Sequence, residues 1–190
     1  MNRVLEFGRA AALAGLVMAL AGTPSLAAGT TPAAPAGSAA TASDTHDDFT
    51  YGPLRFRVES FALDGSLGAH VTISIENLSH SVARAVLASM AAARNGVGLE
   101  LSTVAGAKCD ASDKEIAGIK VVASEGELTV KQMTPIPALG KMTFTAKFHC
   151  NTGRLSTSDT HGLKGRILTA TEAGGFDIPL NFTGLKASAK

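Results

Sequence analysis

Apolar and polar residues alternate along most of the chain after residue 53. The segments LRFRVE, residues 54–59, and VTISIE, residues 71–76, each place an apolar side chain at every second position. This period of two is typical of a β-strand with one buried face and one wet face. The pattern therefore predicts strands rather than helices as the main elements of the fold.

Further strand candidates follow at regular spacing. They are residues 97–104, 119–123, 127–132, 141–150, 165–172 and 176–182, and they are separated by turn sequences such as LDGSLG, SEGE, PALG and AGG. Pro179 interrupts the last candidate; since proline has no N–H to donate, that strand is expected at an edge or with a bulge. About eight or nine short strands without long helices between them predict an all-β, antiparallel β-sandwich.

Residues 79–96 fit two descriptions. The segment SHSVARAVLASMAAARNG is rich in alanine, opens with serines that can cap a helix, and closes with Asn-Gly, a helix-stop signal. It also follows a turn, where the next strand of a sandwich commonly begins. We expect a strand near residues 83–88 and a short helix near residues 88–95.

Two stretches resemble a known kind of domain. The strand and turn VTISIENLS, followed later by TPIPALGKMTFTAKF, are similar to the immunoglobulin-like accessory domains of exported bacterial proteins over residues 56–148. The chain departs from antibody-type domains because it has no tryptophan for the core. The resemblance implies an immunoglobulin-like sandwich that serves in adhesion, scaffolding or binding, and it carries no catalytic residues.

The first 48 residues divide into a leader and a linker. Residues 1–27 have basic Arg3 and Arg9, the apolar run AAALAGLVMALAG and a small-residue cleavage site, the pattern of a signal peptide. The apolar run is shorter than the roughly 20 residues of a membrane-spanning helix. Residues 28–48, rich in Ala, Thr, Pro, Gly and Ser, predict a disordered linker. The expected product is a periplasmic or secreted domain over residues 49–190, without an integral membrane anchor.

Charge limits the classes of partner. The chain has 17 Lys and Arg against 16 Asp and Glu, and removal of the leader leaves equal numbers of both signs. There is no basic block or stripe in the sequence. Nucleic acid is therefore not an expected partner, because its binding depends on clustered positive charge.

The two cysteines, Cys109 and Cys150, predict a disulfide bond. An even number of cysteines in an exported chain is most simply explained by a bridge. A loop of about 42 residues closed in this way stabilises the fold by about 4 kcal/mol in the chain-entropy estimate. Alternation within FTAKFHC turns Cys150 toward the core and His149 toward solvent, which separates the two side chains.

Two alternatives carry chemistry. A periplasmic metal-binding protein would use surface His and Met residues, with His149, His70 or His161 as candidate ligands beside a methionine, but no metal-binding motif such as HxH or CxxC joins them. A small hydrolase acting on envelope polymers would need carboxylates assembled by the fold, since GxSxG, SxxK and HExxH motifs are absent from the sequence. We expect neither a catalytic residue nor a cofactor.

The leading hypothesis is a non-catalytic binding or structural module of the bacterial cell envelope. Its expected partner is another envelope or extracellular protein. Nothing in the sequence predicts an oligomeric state.

Overall fold

The computed structural model describes residues 46–88, 98–122 and 128–189. Thirteen strands lie in these residues, and several of them have only two to four residues. They are β1 (Asp48–Tyr51), β2 (Leu54–Leu63), β3 (Gly68–Asn77), β4 (Ala83–Ala88), β5 (Glu100–Thr103), β6 (Lys108–Asp110), β7 (Ile116–Ala117), β8 (Val121–Val122), β9 (Thr134–Ile136), β10 (Lys141–Thr152), β11 (His161–Thr171), β12 (Gly174–Leu185) and β13 (Ser188–Ala189).

The all-β prediction is confirmed, with differences in strand number and pairing. The count exceeds the eight or nine expected because five strands outside the predicted segments have only two to four residues, too few to show a period of two; they are β1, β6, β7, β9 and β13. All thirteen belong to one continuous sheet in the order β1-β2-β3-β10-β6-β5-β11-β4-β8, to which β7, β9, β12 and β13 are added. Two pairs, β4·β8 and β13·β2, are parallel, so the sheet is mixed rather than wholly antiparallel.

The sheet curls until its two ends meet. Strand β12 pairs with β11 along its length, and Thr183 of β12 exchanges two main-chain hydrogen bonds of 3.0 and 3.2 Å with His46. His46 lies two residues before β1, at the other end of the sheet. Residues 46–48, which the sequence assigns to the end of the linker, are thus already paired, because these main-chain bonds close the sheet.

The core lies inside this curled sheet and follows the predicted alternation. Phe49 bridges its two sides, with its ring centroid 5.0 Å from that of Phe56 and 5.3 Å from that of Phe182. The largest fully buried side chains include Leu54, Phe56, Ile73, Ile75, Phe144, Phe148, Leu163 and Phe182. The period-two pattern therefore identified the buried face correctly in β2, β3, β10 and β12.

The remaining local predictions have separate outcomes. Strand β4 confirms the strand expected over residues 83–88. The short helix expected near residues 88–95 lies outside the described residues, except for residue 88, which ends β4. Part of the candidate strand 127–132 is wrong: Val130–Gln132 forms a short 3-10 helix. The cause is local, since the Gln132 side chain accepts hydrogen bonds from the main-chain N–H and hydroxyl of Thr129, both 2.9 Å long.

No helix in the described part of the chain is long and apolar enough to cross a membrane.

Candidate binding surfaces

The predicted disulfide between Cys109 and Cys150 is present. The two cysteines lie directly opposite each other on β6 and β10, and their sulfurs are bonded. Cys109 is fully buried and Cys150 packs against the same core. The bridge therefore has a structural position, and it ties the short β6 to the long β10.

His149 lies on the outer face of β10, as the alternation predicted. Its Nε2 is 2.7 Å from Oε1 of Glu115, and the hydroxyl of Ser112 donates a 3.0 Å hydrogen bond to the other oxygen of that carboxylate. The bond from His149, followed by that from Ser112, lowers the pKa of Glu115 below its usual value. His149 and Glu115 thus form an exposed pair that stabilises the ionised carboxylate.

The other two histidines do not join His149. His70 lies on the outer face of β3, with Nε2 3.3 Å from Oδ2 of Asp64, and its cross-strand neighbour on β10 is Lys147. His161 lies inside the sheet, 1% exposed, with its ring edge-on to Phe61 at 4.8 Å between centroids. The described residues contain no group of three or more His, Cys, Asp or Glu side chains able to hold a metal ion.

His161 is a buried titratable group. Its Nδ1 lies 3.4 Å from the main-chain oxygen of Leu185, while its Nε2 has no hydrogen-bond partner in the described part of the chain. Burial lowers the pKa of His161, and the hydrogen bond to Leu185 opposes that effect only in part. The side chain is therefore held neutral inside the fold.

Cross-strand pairing aligns a row of polar residues that has no recognisable motif in the sequence. Asn181 on β12 lies opposite Lys164 on β11, Lys164 opposite Glu100 on β5, Glu100 opposite Asp110 on β6, and Asp110 opposite His149 on β10. These residues are spread over positions 100–181 of the sequence. Only cross-strand pairing brings them together, so sequence reasoning missed the row, including the neighbouring carboxylates Glu100 and Asp110.

A shallow groove of about 670 Å³ lies at the β12 end of this row. Lys164, Gly165, Arg166, Asp177, Pro179, Leu180 and Asn181 line it. The guanidinium of Arg166 donates three hydrogen bonds to the carboxylate of Asp177. Nε donates to Oδ1 at 2.7 Å and to Oδ2 at 2.9 Å, and Nη2 donates to Oδ2 at 2.6 Å. This two-pronged pairing holds one wall of the groove in a defined position.

Lys164 and Pro179 give the groove its other properties. The Lys164 side chain is exposed, and its ammonium has no hydrogen-bond or ion-pair partner among the described residues. Pro179 lies opposite Arg166 on β12, a strand that pairs with β11 as its one named neighbour. On the side of β12 away from β11, the described residues form only one pairing, the His46–Thr183 bridge. This agrees with the expectation that the proline-containing strand runs along an edge.

A compact ion network covers the outer face of β1, β2, β3 and β10. Asp48 binds Arg55 and Arg57, while Glu59 accepts 2.6 Å hydrogen bonds from Lys141 and from Ser74. The bond from Arg55 is the main cause that lowers the pKa of Asp48, and the bond from Lys141 is the main cause for Glu59. The basic and acidic side chains of this network therefore pair with each other, and these pairs link neighbouring strands.

Comparisons with known proteins assign no family. No family model matches the chain, and no curated protein matches it. Among solved structures, the chain is similar to a copper-bound PCuAC domain from PmoF2, with 11% sequence identity, coverage of 74% of this chain and 98% of that domain, and a TM-score of 0.34. A likeness at this level of identity and TM-score transfers neither a ligand nor a function to this chain.

Proposed function

We propose that this chain is an exported, non-catalytic binding module of the bacterial envelope, built as an immunoglobulin-like sandwich. It holds an extended segment of a partner protein in the groove between β11 and β12. The groove itself is the observation that carries the proposal. The leader-like residues 1–27 support export to the periplasm or the cell exterior.

The spacing of the groove suits an extended polypeptide. Lys164 and Arg166 are two residues apart on β11, and Asp177, Pro179 and Asn181 are two residues apart on β12. Same-face side chains of any extended chain recur at the same period, roughly 6.6 to 6.8 Å. Alternate side chains of a segment that lies along the groove therefore have the same spacing as the groove side chains of β11 and β12.

The chemistry of the groove favours a segment with an acidic side chain. Arg166 is engaged by Asp177, whereas the ammonium of Lys164 is available. The exposed ring of Pro179 adds apolar surface beside these charges. A carboxylate of the partner pairs with Lys164, and an apolar side chain two residues away covers the proline ring.

Both alternative functions have less support from the geometry. The metal hypothesis uses His149, His70 or His161 with a methionine. His161 lies on the opposite side of the sheet from the other two, and the described residues place none of the three in a group of three or more His, Cys, Asp or Glu side chains. The hydrolase hypothesis gains one observation, the cross-strand pair of Glu100 and Asp110, but both carboxylates lie on the outer face of their strands, and Asp110 accepts a hydrogen bond from Asn151. Hydrolysis of envelope polymers that is lost in Glu100→Gln would replace the binding proposal with that alternative.

A photo-crosslinking experiment tests the proposed site. The full chain is produced in its host with a photoreactive amino acid at position 179, and in a control at position 143, an exposed residue of β10. The expected result is a discrete adduct from position 179, greatly reduced by Lys164→Glu and absent from position 143. Equal adduct yields from the two positions, or a yield unaffected by Lys164→Glu, would refute the groove as the binding site.

A further inference from the structure

A short segment after β12 covers part of one edge of β2. Residues 186–189, which we call the strap, include Ser188 and Ala189 of β13, and these two residues pair in parallel with Ala62 and Leu63 of β2. Strand β3 pairs with the opposite edge of β2 over its whole length, so β13 lies on the same edge as β1. The strap therefore continues the cover that β1 begins.

The strap is held by a small number of contacts. The hydroxyl of Ser188 donates a 3.1 Å hydrogen bond to the main-chain oxygen of Phe61. The ammonium of Lys186 donates a 2.9 Å bond to the hydroxyl of Thr160 and longer bonds of 3.4 and 3.5 Å to two main-chain oxygens of the same loop. Lys186 and Ser188 are exposed, and Ala187 between them is only partly buried. A two-residue strand held in this way opens at a lower free energy than the core strands.

Two contacts connect the buried His161 to the strap. Its Nδ1 donates to the main-chain oxygen of Leu185, the residue before the strap, at 3.4 Å. Its ring packs edge-on against Phe61, the residue whose main-chain oxygen accepts the bond from Ser188. The histidine is 1% exposed. The residues that enclose it are therefore the ones to which the strap is attached.

The closed position of the strap opposes a second proton on His161. Nε2 has no hydrogen-bond partner in the described part of the chain, so a proton there would add a buried charge without an acceptor. The charged groups that act on the ring are Asp159 and Lys186, and their Coulomb effects have opposite signs. The residues that β2 and β5 contribute beside it, Phe61 and Thr103, are uncharged. Movement of the strap away from the ring would let water solvate the charge.

We propose that the strap is an acid-sensitive cover, which leaves the edge of β2 when His161 takes up a second proton. Its release uncovers main-chain groups of residues 61–63, which then form an open strand edge. This device is independent of the groove and goes beyond the proposed function. If the open form binds the proton near the ordinary value of 6.5 and the closed form does not, the open fraction rises by up to about tenfold between pH 7.5 and pH 5.5.

Hydrogen exchange of the full, oxidised chain measures the release. The protection factors of the main-chain amides of residues 186–189, corrected for the intrinsic exchange rate, are compared at pH 7.5 and pH 5.5. They should fall by up to about tenfold at the lower pH, and they should not depend on urea below the unfolding transition, since local opening exposes little surface. The amides of β3, which exchange by global unfolding, should lose protection as urea is added.

Two histidine variants separate this effect from other titrations. His161→Gln retains a donor for the oxygen of Leu185 and should abolish the pH dependence of exchange in the strap. His46→Gln should retain it, because His46 meets Thr183 of β12 through main-chain bonds that do not involve its ring. An equal loss of protection in wild type and His161→Gln, or exchange of the strap with the urea dependence of β3, would overturn the proposal.

A variant of the strap gives an independent measurement that leaves His161 in place. Ser188→Pro disrupts the pairing of β13 with β2, because proline cannot donate to a strand ladder. The ring-proton NMR signal of His161 should then titrate closer to pH 6.5 than it does in the wild type. The same titration midpoint in both proteins would show that the strap does not control proton uptake, and would also overturn the proposal.

Discussion

The buried His161 makes the stability of the domain sensitive to mild acid. Its Nδ1 donates to the main-chain oxygen of Leu185, and its unprotonated Nε2 lies where no described group accepts a hydrogen bond. A second proton on the ring would place a charge beside Phe61, away from water. Of the nearby charged groups, Asp159 raises the pKa of His161 and Lys186 lowers it, but burial is the largest influence and lowers it.

The sign and size of the effect follow from proton linkage. The unfolded chain takes up a proton at this histidine near its ordinary pKa of 6.5, whereas the folded chain does so only at lower pH. Stability is therefore constant above this value and falls as the pH drops below it. The slope approaches about 1.36 kcal/mol per pH unit for one proton, which gives a loss of up to about 1.4 kcal/mol between pH 7.5 and pH 5.5.

Urea unfolding of the oxidised protein at these two pH values measures the loss. The change His161→Gln removes the titrating group and retains a side chain able to donate to Leu185, so this variant should lose little stability over the same interval. His149→Gln, at the exposed histidine, should retain the wild-type loss, because exposed pairs contribute little. The same pH dependence in wild type and His161→Gln would show that the buried histidine is not its source.

Three further predictions concern stability. Replacing Cys109 and Cys150 together by Ala should lower the free energy of unfolding by about 4 kcal/mol, and thiol labelling of the denatured, unreduced wild type should find no free thiol; two labelled thiols would contradict the bridge. Leu139→Gly should raise the free energy of unfolding by about 0.5–1 kcal/mol in a urea titration, because relief of the left-handed backbone at leucine exceeds the entropic cost of glycine. Ala138→Gly, at a position without positive φ, should lower the free energy of unfolding. A lower free energy of unfolding in both variants would argue against strain at Leu139. Asn77→Ala should lower the free energy of unfolding by about 2–4 kcal/mol because buried carbonyl groups lose their donor, while Asn151→Ala, at an exposed asparagine, should change it by less than about 0.5 kcal/mol; similar effects from both would contradict the role of Asn77 in joining the turns 77–82 and 137–140.

The elements that could be predicted from the sequence are those governed by local chemistry. Alternation in β2, β3 and β10 is a property of neighbouring residues, and it correctly separated Cys150 from His149. The disulfide followed from the cysteine count and the expected compartment. Pro179 signalled an edge because a missing N–H has the same consequence in any sheet.

Features that depend on pairing between distant segments were beyond this reasoning. The sheet is closed by main-chain hydrogen bonds between His46 and Thr183, and nothing in the identity of these two residues predicts that they pair. The row from Asn181 to His149 depends on register across five strands, and a shift of one residue would turn each side chain to the opposite face. The groove escaped notice for the same reason, since Lys164 and Asp177 have no recognisable motif.

Two buried or strained residues were also missed, although a signal was present for one of them. The sequence PALG indicated a turn, but not that Leu139 within it has a positive φ, of +50°. His161 lies in the loop-like sequence SDTHGLKG, yet it begins β11 and is buried, because Leu185 and Phe61 enclose it. Only tertiary packing distinguishes this histidine from an exposed one.

The dissociation constant for the partner captured at position 179 measures recognition through the groove. It is measured for the wild-type chain, for Lys164→Glu in the groove and for Lys147→Glu, a substitution on the outer face of β10. Recognition through the groove predicts at least tenfold weaker binding for Lys164→Glu and an unchanged dissociation constant for Lys147→Glu. Equal constants for all three proteins, or equal weakening in both variants, would contradict recognition through the groove.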